Sequence, residues 1–213
     1  MTARRGWILV LGLMLVVAAG VLVVVRRAGP EQADDAWDDD LRVRVRVIHG
    51  DWMGDVELTD YPVTRGRVSY EGPRFAENEE NWKPSHAYRG VDLAHLLDEA
   101  IGLATIETVT LVALDGWHKT LPRSVLSETT VAGTAILALS IDDESSAEWD
   151  DAPMLVFLPT DERFSNQDML DALGPEAAHY YGDLPSVTGL MVKGVTFLVI
   201  NHDGGPLPTL ADL

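Results

Sequence analysis

Two stretches set the frame of this chain: Val68-Ser69-Tyr70-Glu71-Gly72, and Tyr88-Arg89-Gly90-Val91-Asp92-Leu93 running into Leu96-Leu97. The first reads as the end of a strand, Arg65 to Tyr70, closed by a Glu-Gly turn. The second opens a helix over 91–101. Val91, Leu93, Leu96, Leu97, Ala100 and Ile101 share one stripe, and Gly102 ends it. Glu71 to Ser85 lies between them, polar and punctuated by Gly72, Pro73, Asn78, Asn81 and Pro84. It reads as a long loop, and loops of that size tend to carry function.

Working outward, Leu41 to Ile48 alternates strictly. Leu41, Val43, Val45 and Val47 oppose Arg42, Arg44 and Arg46, which predicts a half-buried strand with one basic face. That face is either a substrate or phosphate patch, or a solvated face balancing nearby acids. His49-Gly50-Asp51 turns the chain, and Val56 to Tyr61 reads as a further short strand. Downstream, strands are expected at Thr108–Leu114, Ala135–Ile141, Met154–Leu158 and Met191–Ile200. Asp115-Gly116-Trp117-His118 reads as a turn, and a short turn or helix starts at Arg123–Leu126. Asp142–Asp151 reads as an acidic loop. A helix is expected over Phe164–Leu173, stopped by Gly174-Pro175. Many short strands with few helices predict an α+β domain of mixed β-sheet over 41–201, with a C-terminal tail over 202–213.

The chain has 213 residues and a net charge of −18, with 34 acidic and 16 basic residues. Residues 1–27 hold Arg4, Arg5, Arg26 and Arg27 and no acid, so the remainder is more acidic than the whole. Such a domain repels phosphate backbones, so nucleic acid is not an expected partner. Lys83, Lys119 and Lys193 are the only lysines. That bias fits a protein kept soluble in concentrated salt, or a GC-rich genome in which arginine replaces lysine. Cysteine is absent, which excludes disulfides, thiolate-held iron–sulfur clusters and thiol catalysis.

Trp7 to Val25 is an uninterrupted apolar or glycine-containing run. As a helix it would be roughly 28 Å long, close to the hydrocarbon thickness of a bilayer. Arginine pairs bracket it and can snorkel to the interfaces. Residues 1–27 are therefore expected to form an uncleaved membrane anchor. A cleaved signal peptide is the rival, disfavoured by the length of the run and by Arg26-Arg27 directly after it. A twin-arginine export address is a partial match at Ala3 to Ile8. The free N-terminal amine tips the charge balance toward N-terminus inside. The expected location is the cell membrane, single-pass, with the C-terminal domain extracytoplasmic. Residues 28–40 read as an acidic, extended linker.

Four local matches, in order, resemble the molybdopterin-binding fold of sulfite oxidase-type oxidoreductases. They are Tyr70-Glu71-Gly72; Tyr88 to Leu93 with its Leu-Leu helix; Val109–Ala113 followed by Asp115-Gly116-Trp117; and Pro153–Pro159 with Val192-Lys193-Gly194-Val195. The resemblance implies that fold over most of 41–200. In cofactor-bearing members a thiolate from the first turn ligates molybdenum; here Tyr70 or a neighbour stands at that place. The resemblance therefore implies a scaffold more firmly than a reaction. The expected function is a cofactor-less binding or accessory module, with no catalytic residue and no metal ligand assigned. The alternative is an oxidoreductase that holds molybdopterin without a cysteine ligand. A third reading is a subunit of an envelope complex, and the partners expected are the membrane, through residues 7–25, and an envelope or redox protein.

Candidate pocket residues are Tyr70, His86, Arg89, Asp115, Trp117, His118, Arg123 and Lys193. The pocket is expected near Tyr70, Arg89 and Trp117. The basic and histidine side chains are the plausible stand-ins for the family's cofactor-binding His and Arg. Trp117 suits a pocket floor, with His118 or Lys119 meeting an anion; the plain alternative is a tight turn with Trp117 packed on the core. The six histidines show no zinc spacing, and the acids at 142–151 lack the calcium-loop pattern. No nucleophile elbow or phosphate-binding glycine loop occurs. Tyr180-Tyr181 lies in a turn-rich segment and offers an amphipathic surface.

Overall fold

The computed structural model describes residues 37, 42–76, 79–126, 130–142, 144 and 147–212. The expected membrane span at Trp7–Val25 lies outside them. Among the described residues, no helix is long and apolar enough to cross a membrane.

The alternating stretch forms β1 (Arg44–His49), with Val45 and Val47 buried. Its arginine face turns out to be balanced by acids. Arg44 Nε donates to Glu57 at 2.8 Å and Arg46 Nε to Asp55 at 2.7 Å. Both acids lie directly opposite on β2 (Trp52–Glu57). Cross-strand pairing of this kind matches both arginines with carboxylates, as a solvated face balanced by acids does. The second strand begins at Trp52 rather than near Val56, because Gly50, at φ 59°, closes a tight hairpin. A 3-10 turn over Leu58–Asp60 leads to β3 (Val63–Tyr70), which pairs antiparallel with β4 (His86–Asp92).

Helix α1 (Leu93–Ile101) starts two residues later than its periodicity suggests. Val91 and Asp92 finish β4, and the Asp92 carboxylate accepts the His95 N–H at 3.1 Å, an N-cap that fixes the boundary. Leu93, Leu96 and Leu97 are fully buried. A hairpin of β5 (Thr108–Ala113) and β6 (His118–Pro122) follows, the second strand lying where the sequence reads as the end of a turn. Next come β7 (Thr134–Ile141), β8 (Met154–Leu158) and β9 (Arg163–Phe164). Helix α2 (Asn166–Ala177) is opened by a capping box between Ser165 and Asp168 and broken at Gly174, φ 73°. The chain closes with β10 (Tyr180–Tyr181), β11 (Leu184–Pro185) and β12 (Val195–Ile200).

The result is an α+β fold with two five-stranded sheets, ordered β2-β1-β12-β5-β6 and β8-β7-β4-β3-β9. Pairing is mixed: β1 with β12 and β3 with β9 run parallel, the other pairs antiparallel. A continuous apolar core joins both sheets and both helices. On the other face of the first sheet, Val112, Phe197 and Val199 form a small separate cluster with Ile48 and Leu207. The 202–212 tail thus packs on the sheet, and Arg46 Nη1 donates to the Asp212 carbonyl at 2.7 Å. At the other end, Trp37 of the expected linker is docked. Its indole N–H donates to the Tyr61 carbonyl at 3.0 Å, and the Arg89 guanidinium lies 5.7 Å over its ring.

Candidate functional site

Tyr70 ends β3 with 4 % of its surface exposed. Its hydroxyl reaches across to β8, the outermost strand of its sheet. There it donates to the Phe157 carbonyl at 3.0 Å and accepts the Phe157 N–H at 2.8 Å. One side chain satisfies two backbone groups that a sheet edge would leave without partners. Burial pushes the Tyr70 phenol well above its ordinary value, so the oxygen stays protonated and engaged.

The base of the long loop is held against Tyr70. The Gly72 N–H donates to the Asn81 carbonyl at 2.7 Å, and the Lys83 N–H to the Tyr70 carbonyl at 2.8 Å. The Ser69 hydroxyl donates to the Lys83 carbonyl at 2.6 Å. Arg163 stacks 4.0 Å over Trp82. Lys83 is thereby carried beside Tyr70 despite its distance in sequence.

Glu71 is fully buried. One carboxylate oxygen meets the Arg74 guanidinium, and the other accepts the Asn166 N–H at 2.9 Å, at the start of α2. Asn166 in turn donates to the Gly72 carbonyl at 2.9 Å and accepts the Val187 N–H at 2.8 Å. The Glu-Gly turn is therefore a structural junction between the loop, α2 and the 187–190 turn. A pocket of about 270 Å³, lined by Arg74, Leu170 and Leu184, lies beside it.

A cleft of about 210 Å³ opens next to Tyr70. Tyr88 and Trp149 provide ring surface, with centroids 6.2 Å apart, and Met154 and Met191 provide thioethers. Lys83, His86 and Lys193 bring cationic or titratable nitrogen. His86 Nδ1 lies 2.8 Å from Asp142, and Lys193 Nζ donates to Asp151 at 2.7 Å. Asp142 is held below the usual carboxylate range, first by the Ala87 N–H and then by His86. Tyr88 is pushed up to about 12, chiefly by burial and further by Asp142 and Asp151. Lys193 reaches this place because residues 192–195 run along the β8 edge. The Leu155 N–H donates to Val192, and the Val195 N–H to Pro153.

Of the eight expected pocket residues, Tyr70, His86 and Lys193 meet in this cleft. Arg89 and Trp117 do not line this cleft with Tyr70. Arg89 neighbours Tyr88 on β4, so strand alternation sends it to the opposite face, over Trp37. Asp115 caps its own turn, accepting the Trp117 N–H at 2.8 Å. Trp117 stands edge-on to His179 at 5.7 Å. His118 lies at 3.2 Å from the Gly116 carbonyl, and Arg123 Nη1 donates to the Ala104 carbonyl at 3.1 Å. Lys119, beside that turn, donates to the Ala178 carbonyl at 2.9 Å, and burial lowers its pKa.

The residues do not fit a molybdenum ligated as in the resembled family. The chain offers no thiolate, the Tyr70 hydroxyl is committed to Phe157 as donor and acceptor, and the Ser69 hydroxyl donates to the Lys83 carbonyl. Among the described residues, no three His, Asp or Glu side chains gather closely enough to hold a metal ion. No family model and no curated protein matches this chain.

Proposed function

We propose that this chain is a membrane-tethered, extracytoplasmic binding module on a sulfite oxidase-like scaffold that no longer holds molybdenum. One observation supports the reading: Tyr70, which the sequence resemblance sets at or beside the family's thiolate position, is a structural clamp on Phe157, and its neighbour Ser69 offers only a hydroxyl, donated to the Lys83 carbonyl. A soft thiolate ligand has no substitute in a chain without cysteine. The cleft beside Tyr70 combines apolar ring surface with a few polar groups, the usual make-up of a small-molecule site. The apolar run at 7–25, bracketed by arginines, supports the tether.

The test is a redox titration of the full chain purified from its native host. A binding module gives no reversible couple and no metal-centred spectroscopic signal. A couple accompanied by bound pterin would overturn the reading in favour of an oxidoreductase.

A further inference from the structure

The lysines of this chain are not spread evenly. Two of the three, Lys83 and Lys193, line the same cleft, brought together from the long loop and from the turn before β12. In a chain of net charge −18, two ammonium groups at one aromatic-walled cleft mark a place suited to a negative group.

The charges at the rim also limit how negative that group is. His86 Nδ1 lies against the Asp142 carboxylate, and the Lys193 ammonium is matched by Asp151. Lys83 turns instead to a neutral partner, the amide oxygen of Asn81, at 3.1 Å. Among the described residues, the Lys83 ammonium meets this amide rather than a carboxylate, which leaves its charge to compensate one negative group. Asp142 and Asp151 at the same rim repel a second negative charge, so a monoanion fits better than a dianionic head such as a phosphate monoester. Below the rim lie Tyr88, Trp149 and Met191, surfaces that pack against a planar apolar body. The space, about 210 Å³, suits one or two fused rings; an apolar cavity of about 150 Å³ already accepts benzene.

We propose that the cleft binds an aromatic monocarboxylate, with its ring against the wall of Tyr88, Trp149 and Met191 and its carboxylate on Lys83. This rests on the binding-module reading and names its ligand class.

The test is calorimetric titration of the full chain with indole-3-carboxylate, its neutral carboxamide and phenyl phosphate. The acid is expected to bind with 1:1 stoichiometry, about tenfold or more tighter than the amide, since a charge-assisted hydrogen bond is lost. Lys83→Met, at an exposed position, is expected to remove that preference, and Lys83→Arg to retain it, both with unchanged circular dichroism. Phenyl phosphate is expected to bind more weakly than the acid. The proposal is overturned if no acid binds, if acid and amide bind alike, if Lys83→Met leaves acid affinity unchanged, or if phenyl phosphate binds tighter. Redox silence of the same preparation separates the two claims. No binding by a redox-silent protein defeats the ligand class alone, whereas a molybdenum couple defeats the module reading even if the acid binds.

Discussion

The Tyr70 hydroxyl both donates to and accepts from the backbone of Phe157, at 3.0 and 2.8 Å. The side chain that ends β3 is thus spent on closing a sheet edge. Tyr70→Phe should leave a buried N–H and C=O without their partner. The expected cost is about 1–3 kcal/mol, measured as a shift in the urea midpoint at constant slope. A variant as stable as the parent would show that the clamp is dispensable.

Asn166 ties the Gly72 carbonyl to the Val187 N–H from a position 6 % exposed. Asn166→Ala should cost about 1–3 kcal/mol for each group left unsatisfied. Thermal denaturation checks this. A loss no larger than that of an exposed substitution such as Gln167→Ala would contradict the junction.

Gly90 sits where β4 and β7 shift register. A methyl group there would lie 2.3 Å from the Leu137 carbonyl oxygen and 2.7 Å from the Ala138 Cα. Both are backbone atoms inside a ladder and cannot swing aside. Gly90→Ala should destabilise by about 1–3 kcal/mol or more. Proteolysis rates under native conditions report it; wild-type resistance would refute the close approach.

Asp142 holds its carboxylate below the ordinary 3.8 through the Ala87 N–H and then His86. A carboxylate with a lowered folded pKa adds stability that is present above the unfolded value and lost as pH falls through the folded one. Asp142→Asn removes that titration, and asparagine tolerates the positive φ of 49°. Melting temperatures from pH 6 down to 3 should fall less steeply for the variant. Parallel curves would contradict the assignment.

His179 is held below 6.5, mainly by burial and then by the Lys119 charge. Its neutral form is favoured in the fold, so it adds stability above the unfolded value that is lost on acidification. Lys119→Met removes the second cause. The His179 ring protons should then titrate at higher pH by NMR, and an unmoved midpoint would show that the two groups do not interact.

The fold was legible where local pattern and packing agree. Strict alternation at Val43, Val45 and Val47 marked β1, and Met154–Leu158 was placed to the residue because a continuous apolar run fits a strand buried on both faces. Legibility failed where hydrogen bonds override periodicity. Asp92 caps α1 two residues inside the apolar stripe, and His118–Pro122 pairs with β5 despite its polar character. The cleft was half legible. Tyr70, His86 and Lys193 could be named, but Trp149 sits in an acidic loop and Lys83 in a polar one. Only three-dimensional closure, through the Lys83–Tyr70 and Val192–Leu155 backbone bonds, makes them neighbours. The available signal was the scarcity of lysine itself.

The cofactor-free reading is met most directly by the molybdenum and tungsten content, per chain, of protein extracted from the membranes of its native host. The account predicts a folded protein with far less than one atom of either metal per chain. One tightly held atom of molybdenum or tungsten per chain would contradict it.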